Sequence, residues 1–303
     1  MYDIIIIGAG PAGLTAALYA RRAEKSVLVI EKGVFGGQIT FSPKIENYPG
    51  FAALSGNELA DKMMEQVIAQ GAEFEMETVT RVADENGVKK VYTEDGVFEG
   101  RSVIVATGAA HRHLGVPGEE ELIGGGVSFC AVCDGAFYSG QTVIVVGGGN
   151  SALQEATLLS ETSKKVILVQ NLPTLTGEKK LADALLAKDN VEAVYDSVVT
   201  GFLSENGAVT GATIRNTATG AESALAAEGV FVAIGLAPAT DFLKDTGLLD
   251  EYGYVKADES CRTPLEGVFV AGDCRTKAVR QITTAAADGA AAALAACAYL
   301  GGR

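Results

Sequence analysis

Two cysteines two residues apart, followed at once by an acid, form Cys130-Ala-Val-Cys133-Asp134, the stretch of this chain best suited to chemistry. A C-x-x-C pair can close a short disulfide, and its thiols exchange readily when their pKa values are depressed. An adjacent carboxyl is placed to carry a proton. The pair lies between two glycine-rich turns, Gly8-Ala-Gly10-Pro-Ala-Gly13 and Gly147-Gly-Gly149-Asn-Ser-Ala152. Such turns bring backbone N–H groups against a pyrophosphate at a helix N-terminus. Together these features imply electrons passing from a bound nucleotide cofactor to a disulfide.

Zinc is the competing chemistry. His111-x-His113 with Cys130 and Cys133 supplies two imidazoles and two thiols, a tetrahedral set. Against it, structural zinc sites normally separate their histidines by three to five residues, and the chain has one C-x-x-C only. Asp134 would also be an idle charge beside a metal thiolate. Redox chemistry is the better reading, with no metal.

The elements that must position these groups are legible. Asp3 to Ile7 is a β-branched run, the mark of a parallel strand covered on both faces. It runs into Gly8, a helix continues from Leu14 to Arg22, and Ser26 to Ile30 forms a second strand ended by Glu31, whose carboxylate can accept hydrogen bonds from ribose hydroxyls. The pattern recurs as Gln141 to Val146, the second glycine turn, a helix from about Ala152 to Ser160, and the strand Lys165 to Val169. Two such units predict an α/β chain with two doubly wound, Rossmann-like nucleotide-binding domains. Strands at 100–106, 229–234 and 267–271 each end in a small-residue turn, and the last returns to the first domain. The second domain is therefore expected as an insertion: 1–114 and 240–303 form one domain and 115–239 the other. Crossings are expected near His113 to Pro117 and Leu236 to Thr240, where Gly and Pro break the pattern.

The 303 residues suffice for two cores, and 48% apolar with 20% charged residues is an ordinary globular balance. A formal net charge of −14 argues against nucleic acid or an anionic membrane as partner. Five cysteines, two of them closely spaced, do not make a secreted disulfide framework, so Cys261, Cys274 and Cys297 are expected as reduced, partly buried residues. No signal core precedes the first strand, and no apolar run reads as long enough to cross a bilayer. Ala285 to Ala298, interrupted by Asp288, reads as a buried helix. The expected location is cytoplasmic.

The first turn, Gly36-Gly37-Gln38, Glu46-Asn47-Tyr48-Pro49-Gly50, Ala106-Thr107-Gly108, the C-x-x-C-D stretch and Gly272-Asp273 through Arg280-Gln281-Ile282 succeed one another along the chain. In this the whole chain resembles the low-molecular-weight thioredoxin reductases. The resemblance implies a two-domain flavoprotein, usually dimeric, with FAD in the discontinuous first domain. It implies FAD contacts from Gly8, Gly10, Gly13, Glu31, Lys32, Gly36, Gly37, Gln38 and Asn47, from Ala106, Thr107 and Gly108, and from Asp273, Arg280, Gln281 and Ile282. It further implies a Cys130–Cys133 disulfide that passes electrons to thioredoxin, with Cys133 nearer the flavin, Cys130 attacking the partner and Asp134 relaying the proton. Rotation of the inserted domain on its crossings is expected with it.

The second turn departs from the family pattern. NADPH-dependent members follow the next strand with an arginine cluster that grips the 2′-phosphate, whereas this strand continues Val169-Gln-Asn-Leu-Pro-Thr174 and no arginine stands between Arg112 and Arg215. Lys179 and Lys180 lack the planar fork suited to phosphate, and no acid stands at Gln170 for the hydroxyls of NADH. The stretch is similar to the ferredoxin-linked branch of flavin thioredoxin reductases, which implies reduced ferredoxin as donor. An acidic ferredoxin needs a basic docking patch, expected at Arg275, Lys277 and Arg280 or at Arg21, Arg22 and Lys25. The alternatives are an NADH- or NADPH-driven reductase with atypical contacts and a non-enzymatic zinc- or nucleotide-binding module.

Overall fold

The computed structural model describes residues 1–42 and 44–302. In chain order, β1 (Tyr2–Ile7) enters α1 (Pro11–Arg22) through the first glycine turn, with Pro11 in the first helical turn, where no N–H is required. β2 (Val27–Glu31) follows, then α2 (Gly56–Ala69), opened by a capping box in which Ser55 and Glu58 satisfy each other's backbone N–H groups. β3 (Glu73–Met76), β4 (Val79–Glu85), β5 (Val88–Thr93) and β6 (Val97–Val105) come next. Asn86 and Gly87, both at positive φ, make the tight turn between β4 and β5. β7 is Ala109–His111.

The chain then supplies β8 (Val127–Ser128), α3 (Ala131–Asp134), β9 (Thr142–Val146), α4 (Asn150–Ser160), β10 (Lys165–Val169) and α5 (Lys179–Leu186). β11 (Val191–Val194), β12 (Ser197–Glu205), β13 (Ala208–Asn216), β14 (Glu222–Ala226) and β15 (Gly229–Val232) complete this stretch. β16 (Leu236–Pro238), β17 (Val268–Val270) and α6 (Ile282–Gly301) close the chain.

Two compact units result: residues 1–110 with 237–303, and residues 111–236. β7 and β16, where the chain passes between them, form a two-stranded sheet. In the first unit the sheet order is β3-β2-β1-β6-β5-β4, with β17 also pairing β6. β1, β2, β3, β17 and the C-terminal half of β6 run parallel, and β4 and β5 add an antiparallel edge. In the second unit β11-β10-β9-β15-β8 is wholly parallel, beside an antiparallel sheet β12-β13-β14.

The continuous apolar runs are explained by cover on both faces. Ile4 and Ile6 join the cluster under α1 and α6, while Ile5 and Ile7 join Val103, Val105, Val268 and Val270 on the opposite face. Ile144 and Val146 separate from Val143 and Val145 in the same way. α6 corrects one expectation. Its twenty residues, mean hydropathy 1.2, are long and apolar enough to cross a membrane by length and composition. Here it lies against α1, where a Cβ on Gly289 would stand 2.2 Å from the Ala12 carbonyl oxygen. Asp288, in its middle, is held by Arg275 and Lys277.

Candidate functional site

β8 ends at Ser128, and Cys130 stands as N-cap of the single-turn α3, so the two cysteines are brought to a Cα separation of 5.3 Å and joined as a disulfide. The Cys133 N–H donates to Cys130 Sγ at 3.2 Å. Ser128 Oγ accepts from the Cys130 N–H at 3.1 Å and donates to Asp134 Oδ2 at 2.6 Å. One hydroxyl thus joins the backbone of the first cysteine to the acid. The other oxygen of Asp134, Oδ1, is buried without a partner. Burial raises the Asp134 pKa, against the opposing hydrogen bond from Ser128. A carboxyl so placed holds a proton more readily than an exposed one, as a proton donor to sulfur requires.

The histidines are arranged otherwise than for zinc. Both rings pack on Phe129, His113 pairs with Glu120 at 2.7 Å, and burial lowers the His111 pKa to about 4. Among the described residues no group of three or more His, Cys, Asp or Glu could hold a metal ion.

The first unit gathers most of the remaining predicted residues about the start of α1. A Cβ on Gly8 (φ 104°) would meet the Ala106 carbonyl at 2.5 Å, and one on Gly13 would meet the Gly8 carbonyl at 1.9 Å, so these glycines are required by the protein's own packing. Gly10 is different: a Cβ there would find nothing nearer than the Gly36 carbonyl at 3.8 Å. The space beside Gly10 is a cradle that the protein leaves open, and the helix below it has no side-chain cap. Glu31 accepts from the Ala9 N–H at 2.8 Å and the Gly33 N–H at 2.9 Å, fixing the acid beside the turn. The Gly36 N–H donates to the Ala9 carbonyl, and Gly37 lies against Gly10. Lys32 and Gln38 are exposed on the flanking turns.

The Ala106 N–H donates to Ile7, Gly108 takes positive φ, and Gly272 stands over Ala12. Asp273 follows with Oδ1 buried and unpartnered; burial raises its pKa, opposed by Lys277 and Arg280. Asn47 Nδ2 donates to Gln281 Oε1 at 3.3 Å, just before Ile282 starts α6. An open cradle at a helix start, a fixed acid and an orphaned buried carboxylate oxygen fit FAD, which brings a pyrophosphate to the first and hydroxyls to the others.

The second turn repeats the first, with Gln170 in the place of Glu31. Gly147 (φ 133°) lies against Ala233, as Gly8 lies against Ala106. A Cβ on Gly149, the counterpart of Gly10, would meet nothing nearer than Thr176 Oγ1 at 3.9 Å, whereas one on Gly148, the counterpart of Ala9, would meet Gln170 Nε2 at 2.3 Å. The Gln170 side chain is pinned there, accepting from the Asn171 N–H and donating to the Thr174 carbonyl, both at 3.1 Å. The loop beyond folds onto the turn: Thr176 and Gly177 donate to the Gly148 carbonyl at 2.8 and 3.0 Å, and Glu178 donates to Asn150 Oδ1 at 2.7 Å. A cleft of about 610 Å³ runs past Gly149, Gln170 and Ser197, with no charged residue in its lining. Lys179 pairs with Asp183.

The expected docking patch is corrected. Asp288 takes Arg275 through both oxygens at 2.9 Å and Lys277 at 2.8 Å, and accepts from the Gly272 N–H at 3.1 Å. The Lys277 side chain is 7% exposed and that of Arg275 13%, so both cations are inside the fold. Burial works to raise the Asp288 pKa, but hydrogen bonds from the two cations outweigh it and hold it below the carboxylate range. Arg280 lies over the Tyr254 ring and donates to the Asp273 carbonyl. Arg21 caps α1, donating to Lys25 and Gln70 carbonyls, while Arg22 is exposed. Sequence reasoning did not single out Ser128 or Glu155. Ser128 carries no local signal, whereas Glu155 stands among Ala152, Ala156 and Leu159 on the buried stripe of α4, an unusual place for an acid.

The pyridine nucleotide-disulphide oxidoreductase family profile matches residues 2–289. A thioredoxin reductase of Listeria monocytogenes is 45% identical over 289 residues, 95% of this chain and 91% of its own length. A 34.2 kDa protein in a rubredoxin operon of Clostridium pasteurianum is 41% identical, over 99% of this chain and 98% of its own. The crystal structure of thioredoxin reductase from Streptococcus pyogenes superposes with a TM-score of 0.96 at 44% identity, over 100% and 99% of the two chains.

Proposed function

The chain belongs to the pyridine nucleotide-disulphide oxidoreductase family as an FAD-dependent disulfide reductase of the thioredoxin reductase type, and we propose that its electron donor is a reduced ferredoxin. The observation that carries the reading is the cleft beside the second turn, whose lining among the described residues is uncharged. Gln170 stands where Glu31 stands beside the first turn, so the second turn keeps an open cradle at Gly149, where a Cβ would meet nothing nearer than Thr176 Oγ1 at 3.9 Å, but has no acid there for ribose hydroxyls. The cleft beside it also lacks the cations that a 2′-phosphate requires. The relative from a rubredoxin operon is consistent with a small iron–sulfur protein as donor.

FAD, when bound, supplies the two-electron chemistry that reduces the disulfide. The residues assigned to it are the first glycine turn, Glu31 with Lys32, the Gly36–Gln38 turn with Asn47, Ala106 to Gly108, and Asp273 with Arg280, Gln281 and Ile282. Cys133 is assigned the position nearer the flavin. Cys130 then attacks the disulfide of thioredoxin, forming a mixed disulfide that Cys133 resolves. Asp134, oriented by Ser128, holds the proton that a departing thiolate takes up. The inserted domain is assigned to residues 115–239, and the enzyme is read as a cytoplasmic homodimer.

The test is anaerobic flavin reduction with NADPH, NADH and reduced ferredoxin at equal concentrations. Rapid reduction by ferredoxin with slow reduction by both nucleotides is expected; tight NADPH binding with rapid reduction overturns the reading. The second reading, an NADH- or NADPH-driven enzyme, is favoured by the volume of the cleft, which leaves room for part of a nucleotide.

A further inference from the structure

Behind α3 the helix α4 presents a second half-buried acid, Glu155. The carboxylate of Glu155 lies by the N–H of Ala131, the residue directly after Cys130, and its Oε2 is shut off from solvent with no partner. Ala131 is itself 3% exposed and α4 packs on α3, so this contact closes the inner side of the C-x-x-C turn. Asp134 is tied to the Ser128 hydroxyl, whereas no side-chain hydrogen bond is made to Glu155 among the described residues.

We propose that Glu155 is a positioning residue of the Cys130–Cys133 centre, which backs the turn at Ala131 and takes up a proton as the disulfide is reduced. Two electrons from the family's flavin break the S–S bond. A disulfide, a Glu155 carboxylate, two electrons and two solvent protons become a thiol, a thiolate and a Glu155 carboxylic acid. Charge balances, and a thiolate forms without an ionised carboxylate behind it. The opposite combination, thiolate and carboxylate both ionised, is disfavoured by like-charge repulsion and by the burial of the Glu155 Oε2.

Burial raises the Glu155 pKa to about 7, against the opposing hydrogen bond from Ala131, so its protonation changes near neutral pH. The titratable groups on the elements packed around α4 are Cys130, Cys133 and Asp134 about α3, Tyr138 just after it, and Lys179, Lys180 and Asp183 on α5. Lys179 and Asp183 pair with each other, and Lys165 at the start of β10 pairs with Glu192, so neither lysine is committed to Glu155. The inference rests on the disulfide reductase assignment and is independent of the electron donor.

The test is the pH dependence of iodoacetamide alkylation at Cys130 and Cys133 in the reduced holoenzyme, read by peptide mass spectrometry. The wild-type rate should rise in two steps, one near pH 7, because ionising Glu155 opposes the thiolate. Glu155→Gln keeps an acceptor for Ala131 and should give a single step. Its alkylation at pH 7.5 should be about three- to tenfold faster, the effect of removing one nearby like charge. Glu155→Asp, with a carboxylate retained, should keep the two-step profile. Superposition of the Gln variant on wild type overturns the proposal. A second readout needs no variant: infrared difference spectra of protein labelled with ¹³C-glutamate should show a protonated carboxyl gained on reduction, and its absence is equally fatal.

Discussion

Substituting alanine at Gly10 and at Gly13 should separate two reasons for a glycine in the same turn. At Gly13 the new Cβ would stand 1.9 Å from the Gly8 carbonyl oxygen, a backbone atom that cannot swing aside. The apoprotein should lose about 1–3 kcal/mol or more, the range for overpacking a tight contact. At Gly10 the nearest atom would be 3.8 Å away and φ is −75°, so alanine meets neither clash nor backbone strain. Its poorer N-capping, a few tenths of a kcal/mol or more, is offset by roughly 0.4–1 kcal/mol from a less flexible unfolded chain. Apoprotein stability should therefore stay within about 1 kcal/mol of wild type. The methyl group does enter the cradle assigned to the pyrophosphate. An overlap costing about 1–3 kcal/mol there weakens FAD binding by roughly five- to 150-fold. Urea denaturation of the flavin-free proteins and fluorescence titration with FAD measure the two quantities separately. If Gly10→Ala binds FAD as wild type does, or destabilises the apoprotein as much as Gly13→Ala, the cradle reasoning is wrong.

Cys130→Ser and Cys133→Ser should each abolish thioredoxin reduction while retaining bound flavin, because the pair and the first glycine turn belong to different compact units; flavin content and an insulin-coupled assay check both. Asp134→Asn keeps size and loses the titrating proton, so turnover should fall roughly ten- to a thousandfold. The sign of its pH dependence follows from the raised pKa: the acid form is present at low pH and lost as pH rises through that pKa, so wild-type activity should decline on the alkaline side and the Asn variant should lack that limb. Lys277→Glu replaces a buried partner of Asp288 by a like charge and should cost about 3–5 kcal/mol of stability in a denaturant melt. An unchanged melt with slowed donor reduction would restore Lys277 to a docking role.

The doubly wound architecture and the chemical class were legible in the chain because their signals are local. A β-branched run, a glycine turn and a helix must be contiguous to bind a pyrophosphate, and Ile4 to Ile7 read as a doubly covered strand because α1 and α6 lie on one face and Leu243, Leu248 and Val255 on the other. The C-x-x-C-D stretch is equally local, and the missing arginines after Val169 could be counted without a fold. Burial and long-range contact could not be read this way. Arg275 and Lys277 look like a surface cluster in sequence; only the return of α6 brings Asp288 between them, and an ion pair excludes both from any docking face. Gln170 is an ordinary strand-end residue until its loop turns back and sets the side chain on Gly148. Glu155, twenty-five residues from Cys130, comes to lie behind the redox pair only because α4 packs on α3. Spacing along the chain determines which groups can share one turn; desolvation, which sets their charge and availability, is decided by what the tertiary structure lays over them.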